Sequence, residues 1–157
     1  MKPTLLDERQ TAAIDAYLAT ASVVALEAAD PLGAYLVSEE GESFHQELFE
    51  YIRLSGKTDQ DIYTAVGLNR RRFSEIRSDR NFKPDKRMVL SFVFVLHLDL
   101  GQAEHLLQTA GWALSRSSTF DLIVRYYLER GDVNVFHVND ALYTYHQPLL
   151  CGVVAGD

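Results

Sequence analysis

The stretch KTDQDIYTAVGLNRRRFSEIRSDR, residues 57–80, holds two short runs of helical spacing on either side of Gly67. Its apolar side chains, Ile62, Val66, Leu68, Phe73 and Ile76, follow a helical rather than an alternating period. The spacing predicts one helix over 59–66, ended by Gly67, whose missing Cβ allows the positive φ that a sharp turn needs. Asn69 is suited to cap a second helix. Ile62, Leu68, Phe73 and Ile76 then pack inward and fix the angle between the two helices, which together suit a helix-turn-helix unit. Asn69, Arg70, Arg71, Arg72, Ser74 and Arg77 are left on the outer face. An arginine so placed can donate two hydrogen bonds to a guanine edge or one to a phosphate.

Working outward, the same period continues and no series of strands is evident, so the chain reads as all-α. Upstream, Ser43 and Gln46 have capping-box spacing ahead of Phe44, Leu48, Phe49 and Ile52, with a stop at Ser55-Gly56. Downstream, 81–85 reads as a loop, with Pro84 placed in a first helical turn. Residues 88–98 are apolar on nearly all sides, which predicts a buried central helix although β-branching alone would permit a strand. Further helices are expected over 102–110, 118–130 and 138–146. A long first helix is expected from near Thr4 to Ala29, with Ile14, Leu18, Ala21, Ala25 and Ala28 on one side and Asp30-Pro31 as its stop. Residues 33–43 read as a linker.

Charge is distributed unevenly. The chain carries a net −7, yet eight of its 15 Lys and Arg lie between Arg70 and Arg87, against three acids, Glu75, Asp79 and Asp85. A segment of net +5 therefore sits inside an acidic protein, and it coincides with the proposed second helix and the loop after it. Lys83, Lys86 and Arg87 extend the basic set as candidates to neutralise phosphates.

Several classes are disfavoured. With 157 residues, 47% of them hydrophobic, the chain has enough core for one fold without metal or disulfide. The single Cys151 cannot form an internal bridge and points to a reducing, cytoplasmic setting. Asp7 and Glu8 precede any apolar stretch, against a secretory signal. The longest uncharged stretch near the start, 16–26, is too short for a membrane span.

The stretch 57–80 resembles the lambda-repressor-like, Xre-type DNA-binding family at Thr58, Ile62, Gly67, Leu68, Phe73, Ser74 and Ile76. The likeness covers roughly 43–112, where the flanking helices also fall as in that family. It implies a five-helix helix-turn-helix core over 43–112, with an N-terminal helical arm and linker at 1–42 and a C-terminal helical extension at 113–157. It implies a bacterial transcriptional regulator bound to double-stranded DNA, with the helix from Arg70 to Arg77 reading the major groove, commonly as a homodimer. Two positions depart from the pattern: Tyr63 stands where the family usually has a small residue, and Asp59 where it often has glutamine. A second resemblance joins AGWALSRSSTFDLIVRYYLERG, residues 110–131, and NDALYTYHQPLL, residues 139–150, to the helical region found beside bacterial macro domains. That likeness implies a module working with a partner protein in signalling or defence, with no ADP-ribose chemistry, since the chain has no room for a macro domain.

Other features have plainer readings. The arginine triplet alone could be a solvated helix face. The five histidines lack metal-ligand spacing, so neither metal nor cofactor is expected, and His97 reads as a core or boundary residue. Ser115, Ser117 and Ser118 lie near Asp121, but Ser118 and Asp121 have the spacing of a helix cap rather than a nucleophile. No catalytic constellation is apparent, and an enzyme is not expected. Tyr126, Tyr127, Tyr143 and Tyr145 lack basic neighbours and read as packing residues.

Overall fold

The computed structural model describes residues 8–150, and every described element is helical. The chain divides into two compact units, 1–41 and 42–157.

The first unit holds α1 (Glu8–Ala29) and α2 (Pro31–Glu39), packed on each other. The start expected near Thr4 lies outside the described residues, as do the side chains of Ala21, Ala25 and Ala28. Asp30-Pro31 ends α1 as expected, but it also begins a helix. Asp30 accepts a hydrogen bond from the Gly33 amide at 3.0 Å, and Pro31 takes the first helical turn, where a missing N–H costs nothing. A Cβ at Gly33 would lie 2.2 Å from Asp30 Oδ2, so any larger residue there would oblige the capping carboxylate to shift. The expected linker over 33–43 is thus mostly helix, and only 40–43 remains extended chain. No residue of α2 is buried, and Ile14, Leu18, Leu32, Tyr35, Leu36 and Val37 are exposed.

The second unit comprises α3 (Phe44–Ser55), α4 (Asp59–Val66), α5 (Arg70–Ser78), α6 (Lys86–Val95), α7 (Leu100–Thr109), α8 (Thr119–Glu129) and α9 (Val135–Thr144). The capping box on α3 is present, with the Ser43 N–H donating to Gln46 Oε1 at 2.8 Å. Helix α6 lies at the centre, against α4, α7 and α9, and all six residues from Val89 to Phe94 are buried. Burial of each of the five apolar side chains stabilises the fold by about 1.5–3 kcal/mol, which outweighs the weak helix propensity of the valines among them. The one polar member, Ser91, donates to the Arg87 carbonyl at 2.7 Å. Pro84 precedes the cap residue Asp85 rather than entering the first turn of α6.

Residues 113–150 are no appendage. Phe120, Val124, Leu128, Val138, Leu142 and Leu150 belong to the same core as Phe44, Ile62 and Phe92. Three polar ties reinforce the union. Lys86 forms an ion pair with Asp121, whose side chain is 2% exposed and also accepts from the Ser115 N–H at 2.7 Å. Arg87 donates through Nε to the Leu149 carbonyl at 2.9 Å. The buried Asn139 amide accepts from the Leu150 N–H at 2.8 Å. Among the described residues no helix is long and apolar enough to cross a membrane.

Candidate nucleic-acid interface

Helices α4 and α5 meet as residues 57–80 require. Thr58 caps α4 by accepting from the Asp61 N–H at 3.1 Å. Gly67 adopts φ 88°, and the chain reverses as the Leu68 N–H donates to the Tyr63 carbonyl at 2.7 Å. Asn69 then caps α5, accepting from the Arg72 N–H at 2.7 Å. Ile62 and Val66 from α4, and Phe73 and Ile76 from α5, are buried between the pair and the body. Tyr63, half-buried, packs its ring 5.7 Å from that of Phe73, so a large residue is accommodated by tilted aromatic contact where a small one was the expected pattern.

The buried inner face leaves the outer face of α5 to solvent, and the nine basic or polar residues singled out there fall into three groups. Arg70, Arg71, Arg72, Ser74 and Lys83 are exposed. Arg71 and Arg72 share one acid, Glu75, at 3.3 and 3.4 Å, and the Arg71 side chain is 90% exposed. Exposed pairs of this kind contribute about 0–1 kcal/mol, so a phosphate can displace them readily. Arg72 also lies over the Phe82 ring at 5.3 Å. Arg70 and Lys83 have no partner among the described residues.

Arg77 is the second group, with Asn69. Its guanidinium bonds Asp59 at 2.7 Å and stacks over Phe49 and Phe73 at 4.9 and 5.4 Å. It braces α5 against α3 and α4, and it pairs the Asp59 carboxylate at the start of α4. Asn69 has its Oδ1 committed to the cap.

Lys86 and Arg87 form the third group, and both are engaged within the chain. Lys86 is three-quarters buried against Asp121, and Arg87 is bound to the carbonyl of Leu149, so both tie the helices following 112 to α6. The spacing could not reveal this, because the partners lie 35 and 62 residues away.

One basic residue was overlooked. Arg80, just past the end of α5, is exposed and has no partner among the described residues. With Lys83, Asn81 and Phe82 it lines a cleft of about 370 Å³ whose other walls are Ser43 at the start of α3 and Thr109–Gly111 at the end of α7. Its membership of the basic segment was the available signal.

Elsewhere, Ser118 caps α8 as expected, accepting from the Asp121 N–H at 3.2 Å. His97 lies at the boundary rather than in the core: it is largely exposed, between the buried Leu96 and Leu98, with φ 54° just past the end of α6. Of the four tyrosines read as core or interface packing residues, Tyr127 joins the core margin, while Tyr126, Tyr143 and Tyr145 are exposed on the chain surface. Arg130 sits over the Tyr126 ring at 3.5 Å. Comparison with family models, curated proteins and solved structures gave no match.

Proposed function

We propose that this chain binds double-stranded DNA and regulates transcription, with α3–α7 serving as a five-helix, lambda-repressor-like core and α5 as the recognition helix. One observation carries the reading: Arg70, Arg71 and Arg72 stand exposed on the second of two tightly turned helices, flanked by the unpartnered Arg80 and Lys83, within a chain of net charge −7. In this reading Arg71 and Arg70 reach base edges, Arg72 and Ser74 border the groove, and Arg80 and Lys83 neutralise phosphates. Arg77 and Asn69 hold the helix in place. Two such units, brought together as a homodimer, would read two half-sites.

The test is a fluorescence-anisotropy titration with duplex DNA from upstream of the chain's own gene, at several salt concentrations. Binding should weaken steeply with salt, and Arg71→Ala should cost about 1–3 kcal/mol at a specific site. Absence of salt-sensitive binding there would end the reading.

A second reading, a non-enzymatic adaptor for a partner protein, is favoured by the exposed aromatic residues of α9 and its end. Phe136, Tyr143 and Tyr145 are 64%, 74% and 62% exposed, unusual for side chains of that size. In that case Phe136→Ser with Tyr143→Ser would abolish co-purification with a neighbouring gene product, while Arg71→Ala would not.

A further inference from the structure

The start of α3 and the middle of α7 bring together three metal-ligating side chains that lie far apart in sequence. The carboxylates of Glu42 and Glu47 and the imidazole of His105 place one donor atom each within 4.8 Å of one another. We propose that these residues form a zinc-type divalent-cation site that clasps α3 to α7.

The donor set selects the class of ion. One imidazole nitrogen with two carboxylate oxygens suits zinc and its first-row neighbours, whereas calcium and magnesium prefer oxygen alone. Two carboxylates also balance a charge of +2. Neither carries an Arg or Lys partner among the described residues, because the nearby Glu50 takes Arg53 at 2.6 Å. The two carboxylates bring a donor oxygen each to within 4.8 Å of the other, and a dication between them offsets the crowding of like charge.

The geometry is also close to what the ion needs. Tetrahedral zinc with bonds of about 2.0–2.2 Å separates its ligand atoms by about 3.3–3.5 Å. His105 Nε2 and Glu47 Oε2 are 3.4 Å apart. Both are held by packed helices. Glu47 lies between the buried Phe44 and Leu48, its side chain only 13% exposed, and His105 precedes the buried Leu106 and Leu107. Glu42, exposed and free to change rotamer, completes the third edge. Solvent reaches the site past Glu42 and His105, leaving the fourth position to water. With one ligand each from α3 and α7 and a third from the chain just before α3, the site acts as a staple between two contacting helices, and it does not depend on the DNA reading.

The experiment uses the full chain freed of metal with EDTA and titrated with zinc chloride against a chromogenic zinc indicator, alongside thermal unfolding. Wild type and Cys151→Ser should each take up one equivalent. At zinc about 100-fold above Kd, Tm should rise by about 5–10 °C. Equal concentrations of calcium or magnesium should give no such rise. Glu47→Gln and His105→Ala should lose affinity at least about tenfold. Glu42→Gln, at an exposed position that folding does not need, should do the same with an unchanged far-UV spectrum. No saturable uptake, uptake that survives all three substitutions, or uptake lost in Cys151→Ser would overturn the proposal.

Discussion

His97 and His146 hold φ of 54° and 55°, a backbone conformation that side chains with a Cβ rarely adopt. Each stands just after a helix and lets the next amide reach back: Leu98 to the Val93 carbonyl at 3.0 Å, Gln147 to that of Leu142 at 2.8 Å. Gly67, Gly111 and Gly131 serve the same purpose after α4, α7 and α8. This explains which helix ends were legible. Where glycine closes the helix, at Gly67, the end at Val66 was read correctly; where histidine does, α6 and α9 were extended to 98 and 146. Replacing His97 with Gly should therefore stabilise the fold by about 0.5–1 kcal/mol, measured by urea unfolding. The substitution should also alter the pH response. Partial burial, and then the Lys57 ammonium nearby, hold the His97 imidazole below the ordinary histidine range. The unfolded chain thus takes up a proton first as pH falls below about 6.5, and stability declines from there. Above that range both states are neutral at this residue and the effect vanishes. Urea midpoints at pH 7.5 and 5.5 should differ less in His97→Gly than in wild type.

At the scale of elements, α5 owes its position to contacts that its own sequence only half declares. Phe73 and Ile76 were legible as its inner face because their spacing is helical, and Asn69 was legible as its cap. The outer face was harder, since six basic or polar side chains on one face look alike until their neighbours are known. Arg77 differs from Arg71 only through Asp59, Phe49 and Phe73, which come from α3, α4 and α5. Arg77→Ala should accordingly lower stability by about 1 kcal/mol in thermal or urea unfolding, whereas Arg71→Ala should leave it within about 0.5 kcal/mol. The join between α6 and α8 depends on a harsher interaction. Asp121→Ala would leave the Lys86 ammonium without its partner in a site it cannot easily leave, and the Ser115 N–H without its acceptor. A loss of about 3–5 kcal/mol is expected in urea unfolding, against a small loss for the exposed Arg116→Ala. Local spacing shows Asp121 only as an acid in a helix's first turn; its buried pairing is with a lysine 35 positions earlier, which no local pattern contains.

For the molecule as a whole, charge asymmetry was the most legible property, and it carries a quantitative expectation. Arg80→Ala and Lys83→Ala should each reduce the slope of log binding constant against log salt by about 1, weakening all sequences alike, if each meets one phosphate. Lys86 and Arg87, held against Asp121 and Leu149, should leave that slope unchanged when their variants fold. The compact units divide after Gly41, within the stretch 33–43 whose mixed Gly, Glu and Ser read as a linker, and the core joins 42–112 to 113–150. That union rests on apolar faces, such as Val89–Phe94 and Val138–Leu142, whose match appears only in three dimensions. A further consequence concerns synthesis. The ribosome releases α6 well before the helices that cover it, so the growing polypeptide presents a greasy rod and an uncompensated Lys86 until translation has passed Leu150. For that interval it is a natural client for a holding chaperone, and a message truncated before α9 should yield aggregates rather than a smaller folded chain.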